Sequence, residues 1–477
     1  MDLLPEPAIA KEDNQPTRED ESLRCELLLT LAEAQARGGQ HLKAQQTAIR
    51  ASQIARGLSS ADFMSRAAKE FAWFGMDAIP LAPAATRWLE ETLELIGPEA
   101  SSLRATILSG LSSASGHAGQ REQGLEYARQ AVAIARQLGA PEPLAFGLHG
   151  MCLALQSPEH ASERLVYASE MLELAKAAKA GNSLVTLHAS LWWQAYCGLE
   201  LGDKATAKSG IEGYASLEET MRNPHHLSLL KNFQACEACL EGRFSDFEKL
   251  INEALAFGQT LEIENAAGIF GVQMFTLRRE QARLREVEPL LGRFVQGPEG
   301  AHAWRPGLAL IYRELGQTPE ARAQFEQLAE DDFADLVRDA NWLGCLTYLA
   351  DVCTFLGDAT RALTLYDMML PFNAINVLIA GGAACYGSAA RYLGALANTM
   401  GRWDEAERHF EDALAMNTKM GARPWLAHTE YQYARMLLSR DRQGDSERSA
   451  ILLKDACDKA HELGMRALEQ RIRDGTP

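Results

Sequence analysis

The sequence predicts an all-α chain, a superhelix of about 10–11 stacked helix pairs (an α-solenoid). Three observations predict it. Alanine and leucine are abundant, which favours helix. A glycine followed by a polar residue marks turn after turn: Gly39-Gln40, Gly119-Gln120, Gly202-Asp203, Gly242-Arg243, Gly316-Gln317, Gly357-Asp358, Gly401-Arg402 and Gly444-Asp445. These turns recur at intervals of about 40 residues or twice that, and one such period holds two helices and two turns. Weaker turns at 77–83, 157–159 and 279–281 fill the double intervals.

Bulk properties narrow the functional classes. The chain has 477 residues, 47 Lys+Arg and 64 Asp+Glu, a formal net charge of −17. An acidic surface repels phosphate backbones, so direct nucleic-acid binding is not expected. Nine cysteines, an odd number scattered from Cys25 to Cys457, suit free thiols in a reducing compartment. The N-terminus lacks the basic and apolar regions of a secretory signal, and no apolar run approaches the ~20 residues of a membrane span. A cytoplasmic protein with no membrane contact is expected.

Residues 1–21 are charged and proline-containing, and read as a disordered tail. Residues 22–477 read as the repeat array. Its clearest unit is 390–418. There Leu393-Gly394 lie mid-helix, Gly401 opens the turn, and Ala406, Phe410 and Ala413 follow on the second helix. Gly394 and Ala406 are small enough for two helices to approach closely, and Phe410 fills the groove between them. The same offsets recur at 305–328 (Ala309, Gly316, Ala321, Phe325) and 346–369 (Ala350, Gly357, Ala362, Tyr366), and more weakly at Leu111, Gly119, Gly124, Ala128 and Ala131. This pattern resembles the tetratricopeptide repeat, with a period longer than the usual ~34 residues.

Longer stretches carry a narrower resemblance. RCELLLTLAEAQARGGQ (24–40), IFGVQMFTLRREQARLREVEPLL (269–291), residues 331–358 and 370–445, and AHELGM (460–465) are similar to the C-terminal sensor region of bacterial STAND/AAA-type signal-transduction ATPases. Many of these regulators carry a cyclase or DNA-binding module. The short stretch ahead of the array leaves no room for such modules, so their activities are not implied. The resemblance implies a non-catalytic scaffold or sensor in a bacterial signalling or transcription-regulatory system. Its partner would be a protein or peptide, with a small-molecule inducer as a further candidate. An alternative is the detached sensor half of an ATPase- or cyclase-linked regulator, acting with a separately encoded partner.

The motifs that suggest chemistry are weak. NVLIAGGAACYGSA (376–389) has the strand-glycine-helix outline of a phosphate loop. It lacks the lysine that neutralises phosphate, and no alternating strands exist to build a parallel sheet around it. The run 380–390 then reads as small residues in the first helix of a repeat, after an irregular linker. Cys236-x-x-Cys239 supplies two thiols where zinc wants four ligands, so buried packing is expected. His225-His226, after Asn223-Pro224, reads as a helix start, and a metal there needs a carboxylate or third histidine nearby. Adjacent Trp192 and Trp193 diverge by about 100° on a helix, so one of them should lie partly outside the core. Arg423-Pro424-Trp425 begins a helix, with an exposed Arg and Trp as a candidate binding edge. No nucleophile–base set, cofactor motif or metal set emerges, so no enzyme and no cofactor is expected. The irregular unit supplies the candidate binding residues: Asn373, Asn376, Gly381, Gly382, Tyr386, Arg391 and Tyr392, with exposed backbone, polar groups and flat aromatic area.

Overall fold

The computed structural model describes residues 17–38, 40–76, 83–178, 183–261, 263, 266–287 and 300–475. Residues 1–16 of the tail expected over 1–21, the turn residue Gly39 and residues 77–82 of the turn expected at 77–83 lie outside them. Helix α1 already begins at Arg18. Thr17 caps it, taking a bond from the Asp20 backbone while the Asp20 carboxylate takes one from Thr17.

The described residues fall into two compact units, divided after Gly150. The first holds α1 (Arg18–Arg37), α2 (His41–Gly57), α3 (Ala61–Met76), α4 (Pro83–Ile96), α5 (Ser102–His117) and α6 (Arg121–Leu138). It also holds most of α7 (Pro141–Ala154). Its core is rich in fully buried alanines, among them Ala32, Ala44, Ala48, Ala51, Ala55, Ala67 and Ala68. Small side chains let helix backbones approach, and Phe71, Trp88 and Leu89 fill what remains.

The second unit continues with α8 (Ala161–Ala177), α9 (Ser183–Glu200), α10 (Lys204–Met221), α11 (Pro224–Glu241), α12 (Phe244–Thr260) and α13 (Ala266–Glu280). Then follow α14 (Gly300–Glu314), α15 (Thr318–Leu328), α16 (Trp342–Leu356) and α17 (Ala359–Met369). It closes with α18 (Ala389–Thr399), α19 (Trp403–Met420), α20 (Arg423–Arg440), α21 (Asp445–Leu463) and α22 (Arg466–Asp474). The fold is the all-α helical repeat that the period predicts, with ten to eleven successive helix pairs among the described residues. Predicted turn glycines sit where helices stop. Gly242 (φ 80°) and Gly357 (φ 67°) end α11 and α16 in the left-handed conformation that side chains resist. In the clearest unit, Leu393, Ala406, Phe410 and Ala413 are all fully buried. A Cβ on Gly394 would meet the Phe410 ring at 2.9 Å.

Helices α9 and α10 approach most closely through two glycines. A Cβ on Gly198 would lie 2.4 Å from the Ala207 backbone nitrogen, and one on Gly210 would lie 2.5 Å from that of Ala195. Nearby, the fully buried Arg164 of α8 donates to the Leu155 and Ser157 carbonyls and pairs with Glu200, also buried. Burial pushes the Glu200 carboxyl up to about 7, against the pull of Arg164.

One segment departs from the helical reading. Residues 380–388 are not part of a helix: β1 (Asn376–Ile379) pairs antiparallel with β2 (Ala384–Ser388), and α18 starts only at Ala389. Ala380 (φ 52°), Gly381 (67°), Gly382 (88°) and Gly387 (69°) are left-handed, which a helix cannot accommodate. The hairpin is nearly all buried and touches α9, α11, α13, α16, α19 and α20. It therefore occupies the interior of the second unit. The helices also close on one another: α11 touches α20 and α13 touches α22.

Candidate functional site

The expected binding residues divide between the hairpin, the turn that leads into it (Asn373) and α18. Asn373 is half-buried, bonded to His409 and Asp412. Asn376 is buried and donates to the Leu199 carbonyl at 2.8 Å. Gly381 is exposed, whereas Gly382 lies against Phe233 and Tyr196. Tyr386 is 2% exposed, its hydroxyl bonded to Thr276 at 2.7 Å and Tyr348 at 2.8 Å. Tyr392 is buried, with the Arg391 guanidinium 3.9 Å from its ring centre. Of these residues, Arg391 lines a cavity.

That cavity, about 180 Å³, lies in the second unit. Its charged and polar wall includes Arg279 of α13, Arg313 of α14, Asp351 of α16, Arg391 of α18, Gln432 and Arg435 of α20, and Arg471 of α22. Positions 279, 313, 351, 391, 432 and 471 follow one another at intervals of about 40 residues, the repeat period. Arg313, Asp351, Arg391 and Gln432 come from the first helices of four successive pairs, and Arg279 and Arg471 from the helices before and after them, so stacking brings them together. The apolar wall comes from Phe355, Ala395 and Trp425.

Charge is partly compensated inside the wall. Arg279 bonds Glu314 at 2.7 Å and Asp351 at 2.8 Å, and Arg313 and Arg471 also reach Glu314. His428 bonds Glu280 at 2.9 Å. Burial opposes ionisation of Glu314, but Arg279, Arg471 and Arg313 outweigh it and hold the carboxyl well below its ordinary range. Asp351 and Glu280 are held down in the same way, against burial, by Arg279 and by His428 respectively. Burial lowers His428, against the pull of Glu280. Five arginines line the cavity, and among the described residues two carboxylates, Glu314 and Asp351, pair with them, a positive surplus in a chain whose net charge is −17.

Two donors at this wall remain unused. Arg391 Nε and Trp425 Nε1 are buried without a hydrogen-bond partner among the described residues. Arg391 donates to Gln432 at 3.1 Å and stands 4.0 Å from Asp351. Arg435 reaches the Gly475 carbonyl at 2.7 Å. Trp425 is therefore not the exposed edge expected of Arg423-Pro424-Trp425. Proline does open the helix, but the indole turns inward at 2% exposure.

Acid should weaken the second unit through these carboxylates. Their folded affinity for protons is lower than the unfolded one, so they add stability above about pH 4.5 that is lost as pH falls below it. Melting temperatures from pH 7 to 3 should drop in acid. Glu314→Gln should melt lower than the parent at pH 7 and show a flatter decline.

Other motifs pack rather than react. Cys236 and Cys239 are free and buried, and burial raises both thiols well above their ordinary range. Trp193 is 1% exposed while Trp192 is half-buried, as their helical divergence requires. His226 lies beside the carboxylate and third histidine that a metal would need. Donor atoms of His188, Glu218 and His226 fall within 4.8 Å of one another. Glu218 holds His226 Nδ1 at 3.0 Å, however, and the two imidazoles stack with centroids 3.6 Å apart. Facing rings cannot both point a lone pair at one ion, so one would have to turn.

Residues 387–420 match the tetratricopeptide repeat family, which coincides with α18, α19 and the strand end before them. A search of curated proteins gives no match. Among solved structures, the chain is similar to yeast Tom70, with a TM-score of 0.29 and 14% identity over 82% of this chain and 93% of that one. It is also similar to the APC/C hetero-tetramer Cut9–Hcn1, with a TM-score of 0.38 and 13% identity over 94% and 96%. No described helix is long and apolar enough to cross a membrane.

Proposed function

We propose that this chain is a non-catalytic helical-repeat binding module, serving as the sensor of a bacterial signalling or transcription-regulatory system in the cytoplasm. The observation that carries the reading is the arginine wall. Six positions at the repeat period, on six different helices, converge on one cavity with surplus positive charge and unused donors. Such a wall recognises, since it offers donors and charge but no nucleophile with its base. The tetratricopeptide match at 387–420 supports a scaffold role. Of the residues expected from sequence, Arg391 belongs to this site and Tyr392 supports it from behind. The partner is a protein of the same regulatory system.

The test is affinity purification of the tagged full chain from its native host, read by mass spectrometry. A protein of a regulatory system recovered in near-stoichiometric amount, and absent with the tag alone, supports the module. A chain recovered alone overturns it.

A further inference from the structure

We infer that the arginine-lined cavity binds a small dianion, a dicarboxylate or a phosphate monoester, as the ligand of the sensor. This rests on the binding-module reading above and adds the chemistry of what is bound. Charge sets the valence. Arg279, Arg313 and Arg471 converge on Glu314 and Asp351, Arg391 stands 4.0 Å from the already paired Asp351, and Arg435 pairs with no carboxylate among the described residues, so positive charge is in surplus. Buried charge is costly without a counter-charge, and a dianion supplies it.

Geometry sets the size. A volume of about 180 Å³ falls below the roughly 300–1,000 Å³ of pockets for drug-sized molecules, so the ligand is small. Donors set the position. Arg391 is 3% exposed and Trp425 2%, and each has a buried N–H without a partner. Arg435 has no carboxylate within ion-pair distance among the described residues, unlike Arg279, Arg313 and Arg471. An acidic group between Arg391 and Arg435 meets both guanidiniums, beside the Trp425 indole. Its second charge turns toward Arg471 and Arg313, while Phe355 covers the carbon skeleton. A guanidinium fork pairs with two oxygens of a carboxylate or of a phosphate alike.

The purified full chain should be titrated calorimetrically with succinate, inorganic phosphate and acetate at constant ionic strength. One-to-one binding of succinate or phosphate, at least about tenfold tighter than acetate, is expected, since one charged hydrogen bond more is worth that much. Which dianion binds identifies the source. Arg391→Gln and Arg435→Gln should each weaken binding about ten- to hundredfold. Arg435 is half-buried, so its variant should keep the parent melting temperature and separate recognition from folding. No saturable binding of either dianion, equal binding of acetate, or binding unchanged in both variants overturns the inference. Partner capture intact while dianions fail removes only the ligand. Dianion binding intact while capture fails removes only the partner.

Discussion

Arg164→Met should destabilise the second unit by about 3–5 kcal/mol, because it strands a buried carboxylate. The substitution removes the donor to the Leu155 and Ser157 carbonyls as well as the partner of Glu200. Removing the opposite charge too should restore much of the loss, so Arg164→Met with Glu200→Leu should be more stable than the single variant. The effect also has a pH signature. Glu200 is already lifted to about 7, and without Arg164 it rises further. Its proton is then held in the folded state to a higher pH than in the parent, so the penalty of the single variant is larger at pH 8 than at pH 5, the growth coming above about pH 7. Urea titrations at both pH values measure this. A penalty below about 1 kcal/mol, or one that shrinks with pH, would rule out the pair as a central buried interaction.

Gly198→Ala should cost about 3 kcal/mol, the upper part of the usual range for overpacking. Its new methyl would lie 2.4 Å from one backbone atom of α10 and 2.7 Å from another. Flexible side chains can move aside, but a helix backbone moves only as a whole. Gly210→Ala meets the reciprocal obstacle at Ala195. Once one methyl has spread the helices, the second finds part of its space made. The double variant should therefore lose less than the sum of the two. Additive losses would show that the two contacts yield independently.

The repeat is legible because its determinants are local. Gly242, Gly357 and Gly394 have meanings set within one helix pair, by a left-handed turn or a close crossing. The hairpin is harder to read, although its signals are present. Val377-Leu378-Ile379, two glycines, then Cys385-Tyr386 fit two short strands around a turn. The same glycines also fit the outline of a phosphate loop, and the same small residues fit a closely packed helix, so the local pattern does not choose. Burial of Asn376 and Tyr386 depends on contacts with helices about 38 to 177 residues away, which no window shows. The arginine wall leaves a trace at the repeat period, 279, 313, 351, 391, 432 and 471. Reading it requires comparing one position across repeats, whereas the turn pattern follows glycines and alanines.

The buried hairpin bears on how the second unit unfolds. In an open array each repeat touches only its neighbours, and stability can be lost piece by piece. Here Asn376 holds Leu199, Ala383 accepts from Gln273, and Tyr386 holds Thr276, contacts spanning 110 to 177 residues. Those bonds form only when early and late helices are both in place. The unit is thus expected to melt in one cooperative step, with hydrogen exchange in α9, α13 and α20 governed by the same global opening. Such long-range closure also slows folding, since distant segments must meet before the hairpin can be enclosed.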